Sequence, residues 1–388
     1  MKISFLQLWS LLLVLYTYSN SYAQSESLAD QAQTNAATAT ALDELRSFSD
    51  ALDVIRAFYV EPLDETELIR AAIDGMTDTM DQYSAWLPAE RFSTLATDAA
   101  GSFGGIGANF AIESGFVRVI EVLNDSPAAL ANIEIGDRII AIDGESLRGQ
   151  NLSQAINSLR GPVGTNINLR LRRSSQILDK KVSRAKQDIA SVVVQYLPKG
   201  ILYLSIEQFS QTTKRQLKQH LQSWLGNSPE STGIILDLRN NPGGTVEAAV
   251  AVADAFIDQG LLVSAQGRNT DSSFSFDASE ETLTDLPLTV LINEGTASAS
   301  EILAGALQDH QRAVIIGEQS FGKGSVQNII PLPNGSAVRL TTARYQTPSG
   351  RSIDRVGITP DIKLSRQETN SEKAIEVATQ QILEGPVS

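Results

Sequence analysis

The spacing of apolar residues predicts helices first and strands afterwards. From Leu42 to Met76, apolar residues recur every three or four positions, and Pro62 divides them into two runs, as expected for two amphipathic helices. We expect a small helical segment that ends near Pro88. From Gly101 to about Lys186, short alternating runs are separated by turns that contain glycine, a pattern that is typical of a β-rich segment.

The third segment, Gly200 to Ser365, alternates strands with helices, which predicts an α/β domain. The predicted strands are Ile201–Phe209, Gly233–Arg239, Leu288–Asn293 and Ala313–Gly317. The predicted helices are Lys214–Leu225, Val246–Ile257 and Ala299–Gln308. The range Ser264–Asp285 is polar and is interpreted as an exposed excursion, and Ser371–Leu383 has the pattern of a terminal helix.

The first residues have the order of an export signal. Lys2 precedes a mostly apolar stretch that runs from Ile3 to Tyr18, and the small residues Ser21 and Ala23 follow. This order predicts a secretory signal peptide that is cleaved after Ala23, and therefore a periplasmic location. An uncleaved anchor is the alternative, although the stretch is short for a membrane-spanning helix of about 20 residues. Residues 24–40 are polar, which predicts a flexible linker.

Length and composition exclude several classes of function. At 388 residues the chain has room for two or three domains. Its 31 basic and 45 acidic residues leave a net charge of −14, which argues against nucleic acid as a partner. The absence of cysteine excludes disulfides and thiolate chemistry. The two histidines, His220 and His310, are too few for a three-histidine zinc site and leave few candidates for catalysis by a serine and a histidine.

The β-rich segment carries a dense set of turn and helix signals. Ser126 and Pro127 open a short helix with proline at its first position. The pairs Gly136-Asp137 and Asp143-Gly144 form turns on either side of a short apolar strand. An amphipathic helix is expected at Asn151–Leu159.

With these signals, the segment from about Gly101 to Lys186 resembles a PDZ domain of the kind found in secreted bacterial proteases. Asn132 stands where that pattern usually has glycine. Asparagine tolerates a left-handed backbone nearly as well, so the replacement is compatible with the pattern. PDZ domains bind the carboxyl terminus of a partner by adding it as a strand to a sheet edge.

The resemblance implies that a glycine-rich loop captures the free carboxylate of the ligand. The loop is formed by Gly104, Gly105, Ile106 and Gly107, and glycines allow successive backbone N–H groups to point at an anion. A plain turn and a phosphate loop are the alternatives. Arg160 lies just before the next glycine turn and could face the ligand or the following domain, or simply the solvent.

Two elements of the α/β segment could support acyl transfer. Ser298 begins a predicted helix and is followed three residues later by Glu301, which predicts a capping box. A capping serine is rarely a nucleophile, yet the unpaired N–H groups of a helix start can stabilise an oxyanion. Lys323 lies between two glycines. Such a lysine is normally solvated, but burial could depress its pKa far enough for it to act as a base.

Four motifs make the α/β segment similar to the carboxyl-terminal processing peptidases, also called tail-specific proteases. They are Asp237-Leu-Arg-Asn-Asn-Pro-Gly-Gly244, Gly295-Thr-Ala-Ser-Ala-Ser-Glu-Ile-Leu-Ala-Gly-Ala-Leu307, Gly322-Lys-Gly-Ser-Val-Gln327 and Tyr345-Gln-Thr-Pro-Ser-Gly-Arg-Ser-Ile353. The resemblance covers about residues 42–365, with the PDZ-like run in its usual place. One departure lies in the segment 80–87, which begins Met-Asp-Gln where the family usually has Leu-Asp-Pro, so only the local turn there is in question.

The resemblance implies a Ser-Lys dyad and carries the family's roles to residues of this chain. Ser298 would be the nucleophile, Lys323 the general base and Gln327 the group that orients the lysine amine. The family separates serine and lysine by 25 positions, as 323 − 298 = 25 does here, whereas Ser300 gives 23. No metal or organic cofactor is implied.

The oxyanion hole would combine the backbone N–H of Ala299 with that of Gly243 or Gly244, and the sequence leaves the choice between the two glycines open. The implied fold class is α/β, with a crotonase- or ClpP-like protease core, an inserted PDZ domain and an N-terminal helical segment. The corresponding boundaries are 1–23 for the signal peptide, 24–40 for the linker, 41–98 for the helical segment, 99–186 for the PDZ domain, 187–365 for the core and 366–388 for a helical tail.

The predicted partners are polypeptides bound through their carboxyl termini. In the family, a lipoprotein adaptor serves some members, and both an adaptor and a homo-oligomer remain open for this chain; nucleic acid is not expected. Three rivals differ in class: a non-catalytic PDZ scaffold, an acyl-CoA enzyme of crotonase type and a histidine-based serine protease. His310 cannot serve Ser298 if both lie on one helix, because 12 residues span about 18 Å. His220 remains open, although it lies on the polar face of its own predicted helix.

Overall fold

The computed structural model describes residues 42–385 except 114, 229, 280 and 281. The predicted signal peptide and linker lie outside these residues. The chain divides into two compact units, with the boundary after Met76. In the first unit, a helix over 42–58 (α1) and the start of helix Glu65–Asp78 (α2) lie on either side of Pro62, as the sequence predicts. Among the described helices, none combines the length and apolar character that crossing a membrane requires.

The second unit begins with a segment that leads into its main sheets. Strand Ala85–Leu87 (β1) is followed by helix Ala89–Ala100 (α3). The Asp81 carboxylate accepts hydrogen bonds from the N–H groups of Tyr83 at 2.7 Å and Ser84 at 2.8 Å, which closes a tight turn just before β1. The turn in question therefore forms without the proline of the family pattern.

The PDZ-like segment folds as an antiparallel sheet with a separate two-stranded ribbon and two short helices. Its strands are Ser102–Gly105 (β2), Ala108–Glu113 (β3), Phe116–Val122 (β4), Arg138–Ile142 (β5), Glu145–Ser146 (β6), Asn166–Arg173 (β7), Gln176–Ser183 (β8) and Ala185–Asp188 (β9). Its helices are Pro127–Leu130 (α4) and Leu152–Leu159 (α5). The main sheet has the order β3-β4-β5-β7-β8 with β6 beside β5, and β2 pairs with β9 in a separate ribbon. Alternate residues of β4 and β7, with Ile139 and Ile142 of β5, fill one apolar core.

The local predictions for this segment are confirmed. Pro127 occupies the first turn of α4, and the Ser126 hydroxyl accepts from the N–H of Ala129. Asn132 adopts a left-handed φ of 55°, the conformation for which glycine is usually chosen. Asn151 forms a capping box at the start of α5.

The α/β segment is built on a six-stranded sheet. Its strands, in spatial order, are Val192–Leu197 (β10), Ile201–Ile206 (β11), Gly233–Asp237 (β12), Leu288–Ile292 (β15), Val314–Gly317 (β16) and Ile362–Lys363 (β19). All neighbours pair in parallel except β10 with β11. Parallel sheets are covered on both faces, and every residue of β12 and β15 is accordingly buried.

Helices cover both faces of this sheet. On one face the main apolar core is formed with Thr213–Asn227 (α6), Val246–Ala253 (α7) and Ala299–Asp309 (α8). On the other face, Ala374, Ala378 and Ile382 of the terminal helix Glu372–Glu384 (α10) pack against the strands, and the short helix Arg366–Thr369 (α9) precedes it. The mixed α/β class and the terminal helix are therefore as predicted.

A second sheet lies beside the first and carries part of the site. It contains Leu261–Gly267 (β13), Phe274–Asp277 (β14), Ser325–Pro331 (β17) and Ala337–Gln346 (β18). The order is β1-β18-β13-β14, with β17 also paired to β18. The range Ser264–Asp285, interpreted from the sequence as an exposed excursion, is mostly exposed or half-buried, but it includes the end of β13 and all of β14. Phe274 and Phe276 contact each other edge to face at 5.5 Å, and this short alternation was hidden by the surrounding serines and aspartates.

Candidate active site

Ser298 lies at the junction between β15 and α8. Its φ of 58° and ψ of −117° are rare for a residue with a side chain. Of the predicted capping box, the Glu301 carboxylate accepts the backbone N–H of Ser298 at 2.8 Å, while the Glu301 N–H donates to the Ser298 carbonyl oxygen at 2.9 Å. A strained backbone conformation that persists in a well-packed region is characteristic of functional sites.

The Glu301 carboxylate connects this junction with the loop that carries Lys323. Besides Ser298, it accepts hydrogen bonds from the Ser320 hydroxyl at 2.5 Å and from the N–H groups of Gly322 at 2.7 Å and Lys323 at 2.9 Å. Glu301 is fully buried, and this burial raises the pKa of its carboxyl above the usual value. The sequence predicts only the helix-capping role of Glu301, because no local sequence pattern indicates its contacts with residues 320–323.

Replacing Glu301 by glutamine should destabilise the protein by about 1–3 kcal/mol, because a glutamine amide group would face N–H donors in place of an acceptor oxygen. Urea unfolding monitored by circular dichroism measures the change. Glu376→Gln, on the exposed face of α10, is the matched control and should stay within about 0.5 kcal/mol. Equal midpoints for the two variants would contradict the connecting role of Glu301.

Lys323 lies on the loop between β16 and β17, and its side chain is largely buried. This burial lowers the pKa of the Lys323 amine below its usual value, and the nearby positive charge of Arg339 lowers it further, while Glu301 opposes the shift. The Lys323 Nζ atom lies 5.2 Å from the centre of the Tyr83 ring. Within the described residues it makes no hydrogen bond to the Ser298 hydroxyl.

Gln327 lies on β17, where a bulge between Val326 and Gln327 interrupts the strand alternation. The Gln327 amide donates to the Ser325 hydroxyl at 2.9 Å. In this structure it therefore contacts a neighbour on its own strand, and its role in orienting the lysine amine stays a prediction.

The glycine pair after β12 lies directly beside Ser298. Gly243 and Gly244 have φ angles of 107° and 142°, which favour glycine. A Cβ atom on Gly243 would lie 2.9 Å from Ser298 Cβ and 3.0 Å from the Ala299 nitrogen. The Gly243 N–H donates to the Asn241 side chain at 2.9 Å, whereas the N–H groups of Gly244 and Ala299 have no acceptor among the described residues.

A buried ion pair stiffens the end of β12, and sequence reasoning did not identify it as functional. Arg239 contacts both carboxylate oxygens of Asp237 at 2.5–3.0 Å and donates to the Thr369 carbonyl at 2.5 Å. The Tyr203 hydroxyl donates to Asp237 at 2.6 Å, and burial raises the pKa of Tyr203 to about 12. Both charged residues were visible in the Asp-Leu-Arg motif, but their mutual contact requires the backbone turn after β12.

One cavity of about 620 Å³ brings the candidate catalytic residues together. Ser298, Lys323, Gln327 and Gly244 all line it. Its apolar lining comes from Leu95, Phe209, Val246, Phe274, Phe276, Val326, Ile329 and Tyr345. Its charged lining, besides Lys323, comes from Asp98, Glu247, Asp271 and Arg339.

His310 lies elsewhere, at the end of α8. Its Nε2 atom is 2.7 Å from the Leu261 carbonyl oxygen, and it does not line the cavity. His310 is therefore not placed to act as the base for Ser298, as the helical spacing indicated. His220, the other histidine, lies on α6 and is not among the residues that line the cavity.

The predicted carboxylate loop of the PDZ domain is buried. Gly104 and Gly105 belong to β2, the Gly104 carbonyl accepts from Gly161 at 3.0 Å, and the Ile106 carbonyl accepts from Ala128 at 2.8 Å. Gly107 follows with a left-handed φ of 73°. Their role in binding a carboxylate stays a prediction.

Arg160 is not simply solvated, because its guanidinium carbon lies 4.2 Å from the centre of the Phe103 ring. With Gly104 and Lys186 it lines a second cavity of about 820 Å³ between α3 and the PDZ domain.

Three family models match consecutive parts of the chain. Peptidase family S41 matches residues 200–364, and the PDZ domain model matches residues 118–173. A third, described as the activating protease CtpB N-terminal domain, matches residues 11–91. These matches, with the serine that lines the cavity of the α/β core, define a serine-type peptidase with a PDZ domain. The comparisons favour this class over the non-catalytic scaffold and the acyl-CoA enzyme.

Curated relatives place the chain within one family. The carboxy-terminal-processing protease of Bartonella bacilliformis is 43% identical over 341 residues, which cover 86% of this chain and 78% of that protein. The carboxy-terminal processing protease CtpA of Bacillus subtilis is 34% identical, covering 81% of this chain and 67% of the relative. The chain belongs to the carboxy-terminal processing proteases of peptidase family S41.

The chain is also similar to proteins of solved structure. A photosystem II D1 C-terminal processing protease is 30% identical, with a TM-score of 0.49 over 82% of this chain and 88% of that one. A putative S41 protease from Bacteroides fragilis is 15% identical, with a TM-score of 0.46 over 87% of this chain and 97% of the other.

Proposed function

We propose that the protein is an exported endopeptidase that binds the carboxyl terminus of a polypeptide through its PDZ domain and cleaves with a Ser298–Lys323 dyad. The observation that carries the proposal is the largely buried lysine, which lines the same cavity as the strained serine and whose amine has a lowered pKa. A neutral amine near physiological pH is what a lysine needs to act as a general base.

The reaction proceeds through an acyl-enzyme. Neutral Lys323 accepts the Ser298 hydroxyl proton while the serine oxygen bonds to the scissile carbonyl carbon. The lysine then gives this proton to the amine leaving group as the carbon–nitrogen bond breaks. Water then attacks the carbonyl carbon of the resulting ester and gives a proton to Lys323. The bond between this carbon and the serine oxygen breaks, the serine oxygen takes the proton from Lys323, and the carboxylic acid product is released.

Backbone N–H groups hold the oxyanion of both tetrahedral intermediates. We assign them to Gly244 and Ala299, because the Gly243 N–H already donates to Asn241. Donors with no protein acceptor are available for the developing negative charge without breaking an existing hydrogen bond. Gly243 contributes by the absence of a side chain, which lets the glycine pair approach Ser298 closely.

The cavity and the PDZ domain suggest a class of substrate. The apolar lining favours polypeptides with apolar side chains near the scissile bond. Gly104–Gly107 would hold the terminal carboxylate, with Gln327 reorienting toward the lysine amine in the substrate complex. The core is assigned to the crotonase- or ClpP-like α/β fold, on the strand and helix order. The proposal includes export to the periplasm, which the order of basic, apolar and small residues within positions 1–23 supports.

Recognition of the carboxyl terminus can be tested with two peptides that differ only in ending as a free carboxylic acid or as an amide. An extended peptide with an apolar terminal residue should bind the Ser298→Ala protein at least about tenfold more tightly as the free acid than as the amide, because only the acid offers a carboxylate to the glycine loop. Fluorescence anisotropy measures both affinities, and cleavage by the unmodified enzyme is compared in parallel. Equal affinity for acid and amide would contradict the carboxylate loop while leaving the peptidase assignment intact.

A further inference from the structure

The Lys323 amine has one identified contact in the described part of the chain. Its Nζ atom lies 5.2 Å from the centre of the Tyr83 ring, and no hydrogen bond or ion pair of this amine is present among residues 42–385 as described. The distance is within the range of about 6 Å in which an ammonium group is attracted to an aromatic face. The lysine chain is thus held at the cavity wall by an aromatic side chain from a distant part of the sequence.

Tyr83 is fixed by contacts that do not involve the lysine. The Asp81 carboxylate accepts its N–H at 2.7 Å, and Arg339 donates from Nε to its carbonyl oxygen at 2.8 Å. Two residues further along, Ala85 of β1 is paired with Arg339 of β18. The Tyr83 N–H is therefore held by its own turn and its carbonyl by β18, which also pairs with β17, the strand that follows the Lys323 loop.

We propose that Tyr83 is a positioning residue of the peptidase reaction, whose ring holds the Lys323 amine within reach of Ser298 and stabilises the ammonium ion formed when the serine is deprotonated. The inference rests on the proposed Ser-Lys dyad. An aromatic face attracts an ammonium ion much more strongly than a neutral amine. The ring consequently acts most on the state in which Lys323 has taken the serine proton.

Other charged groups act on the same amine. Arg339 of β18 disfavours the ammonium form, while Glu301 of α8 favours it, although the Glu301 oxygens are occupied by four donors. The remaining charged groups of the cavity wall are Asp98 of α3, Glu247 of α7 and Asp271 before β14. On the Tyr83 segment itself, Asp81 is engaged by backbone N–H groups. The Tyr83 ring therefore offsets the repulsion between Arg339 and the Lys323 ammonium ion. It does so without a second carboxylate, besides that of Glu301, next to the lysine amine.

The pH dependence of kcat/KM distinguishes this role from simple structural support. Tyr83→Leu should lower kcat by about tenfold. It should also move the acid limb of the kcat/KM profile, where the rate rises as Lys323 loses its proton, to lower pH by roughly half to one unit, because the ammonium form loses its aromatic partner. Tyr83→Met, which is close in length, is the second variant in case leucine impairs folding. Tyr83→Phe should return the acid limb to the position of the unmodified enzyme, since it restores the ring.

Trp86→Phe is the matched control in the same segment. It removes the hydrogen bond from the indole to the Ser336 hydroxyl and should leave the acid limb in place. If Tyr83→Leu and Tyr83→Met are both folded and the acid limb of the kcat/KM profile does not move in either, the proposal is overturned.

A direct titration separates failure of this inference from failure of the dyad. In Ser298→Ala protein labelled with ¹³C-lysine, the Lys323 Cε resonance, assigned by its loss in Lys323→Met, reports the amine pKa without catalysis. Adding Tyr83→Leu should lower that pKa by a similar roughly half to one unit. If the Lys323 pKa does not change on adding Tyr83→Leu, the role of Tyr83 is overturned. If that pKa shifts as expected but Ser298→Ala keeps its peptidase activity, the contact of Tyr83 with the amine stands and the Ser-Lys dyad is refuted.

Discussion

Replacing Ser298 by alanine is expected to abolish peptide hydrolysis, with kcat/KM falling by on the order of 10⁴-fold or more. The variant loses the only atom that the mechanism allows to form the acyl-enzyme. It should remain folded, because the backbone N–H of residue 298 can still donate to the Glu301 carboxylate. Hydrolysis of an extended peptide with an apolar carboxyl terminus, followed by mass spectrometry, measures the loss.

Ser300→Ala is the matched control for this experiment. Ser300 is also a serine of α8, but it is fully buried, and its hydroxyl donates to the Asn241 carbonyl at 3.1 Å. It does not line the cavity. Its replacement should leave kcat/KM within about tenfold, a modest effect because one neutral hydrogen bond is lost. Loss of activity in Ser300→Ala together with full activity in Ser298→Ala would reverse the assignment of the nucleophile.

Replacing Lys323 by alanine should lower kcat/KM by on the order of 10³-fold or more, because the serine proton then has no acceptor. Lys323→Arg is the informative companion, since arginine keeps the positive charge but does not lose its proton in the accessible pH range. Both variants should be inactive and folded. Activity in Lys323→Arg would show that the charge of the side chain, rather than its basicity, serves the reaction.

The pH profile of the unmodified enzyme follows from the direction of the lysine shift. At low pH the amine is protonated and cannot act as a base, so kcat/KM should rise with increasing pH as Lys323 loses its proton. Burial and Arg339 place this rise below the usual lysine value of 10.5. Initial rates at low substrate concentration across the pH range locate it. A rise at or above the ordinary lysine pKa would contradict the general-base role.

The central sheet was predictable because its strands are nearly uniform in environment. Every residue of β12 and β15 is buried, so continuous apolar runs marked these strands in the sequence. Helix ends were less predictable. The helix expected at Val246–Ile257 stops at Ala253, where the Asp254 carboxylate contacts Lys214 at 3.0 Å and the N–H of Ser279 at 2.6 Å. Those partners are distant in sequence, and local propensity carries no information about them.

The residues of the candidate site also differ in how far the sequence predicts them. Ser298, Lys323 and the glycine pair were identifiable because their motifs are contiguous and have a characteristic spacing. The contacts of Glu301 with the lysine loop, the ion pair of Asp237 with Arg239 and the approach of Tyr83 to Lys323 exist only after distant segments are folded together. Short motifs therefore indicated the groups that we propose to react, whereas the contacts around those groups required the structure.

The pairing of β1 with β18 means that the catalytic body is discontinuous in the chain. Trp86 and Ser336, joined by a hydrogen bond, are 250 positions apart, and the whole PDZ domain is threaded between them. A fragment excised at residues 200–364 would contain the motifs of the peptidase but not the strand that covers the edge of β18. The folded peptidase unit is thus longer than the region that the family motifs mark, and the chain leaves and re-enters it at the two ends of the PDZ insertion.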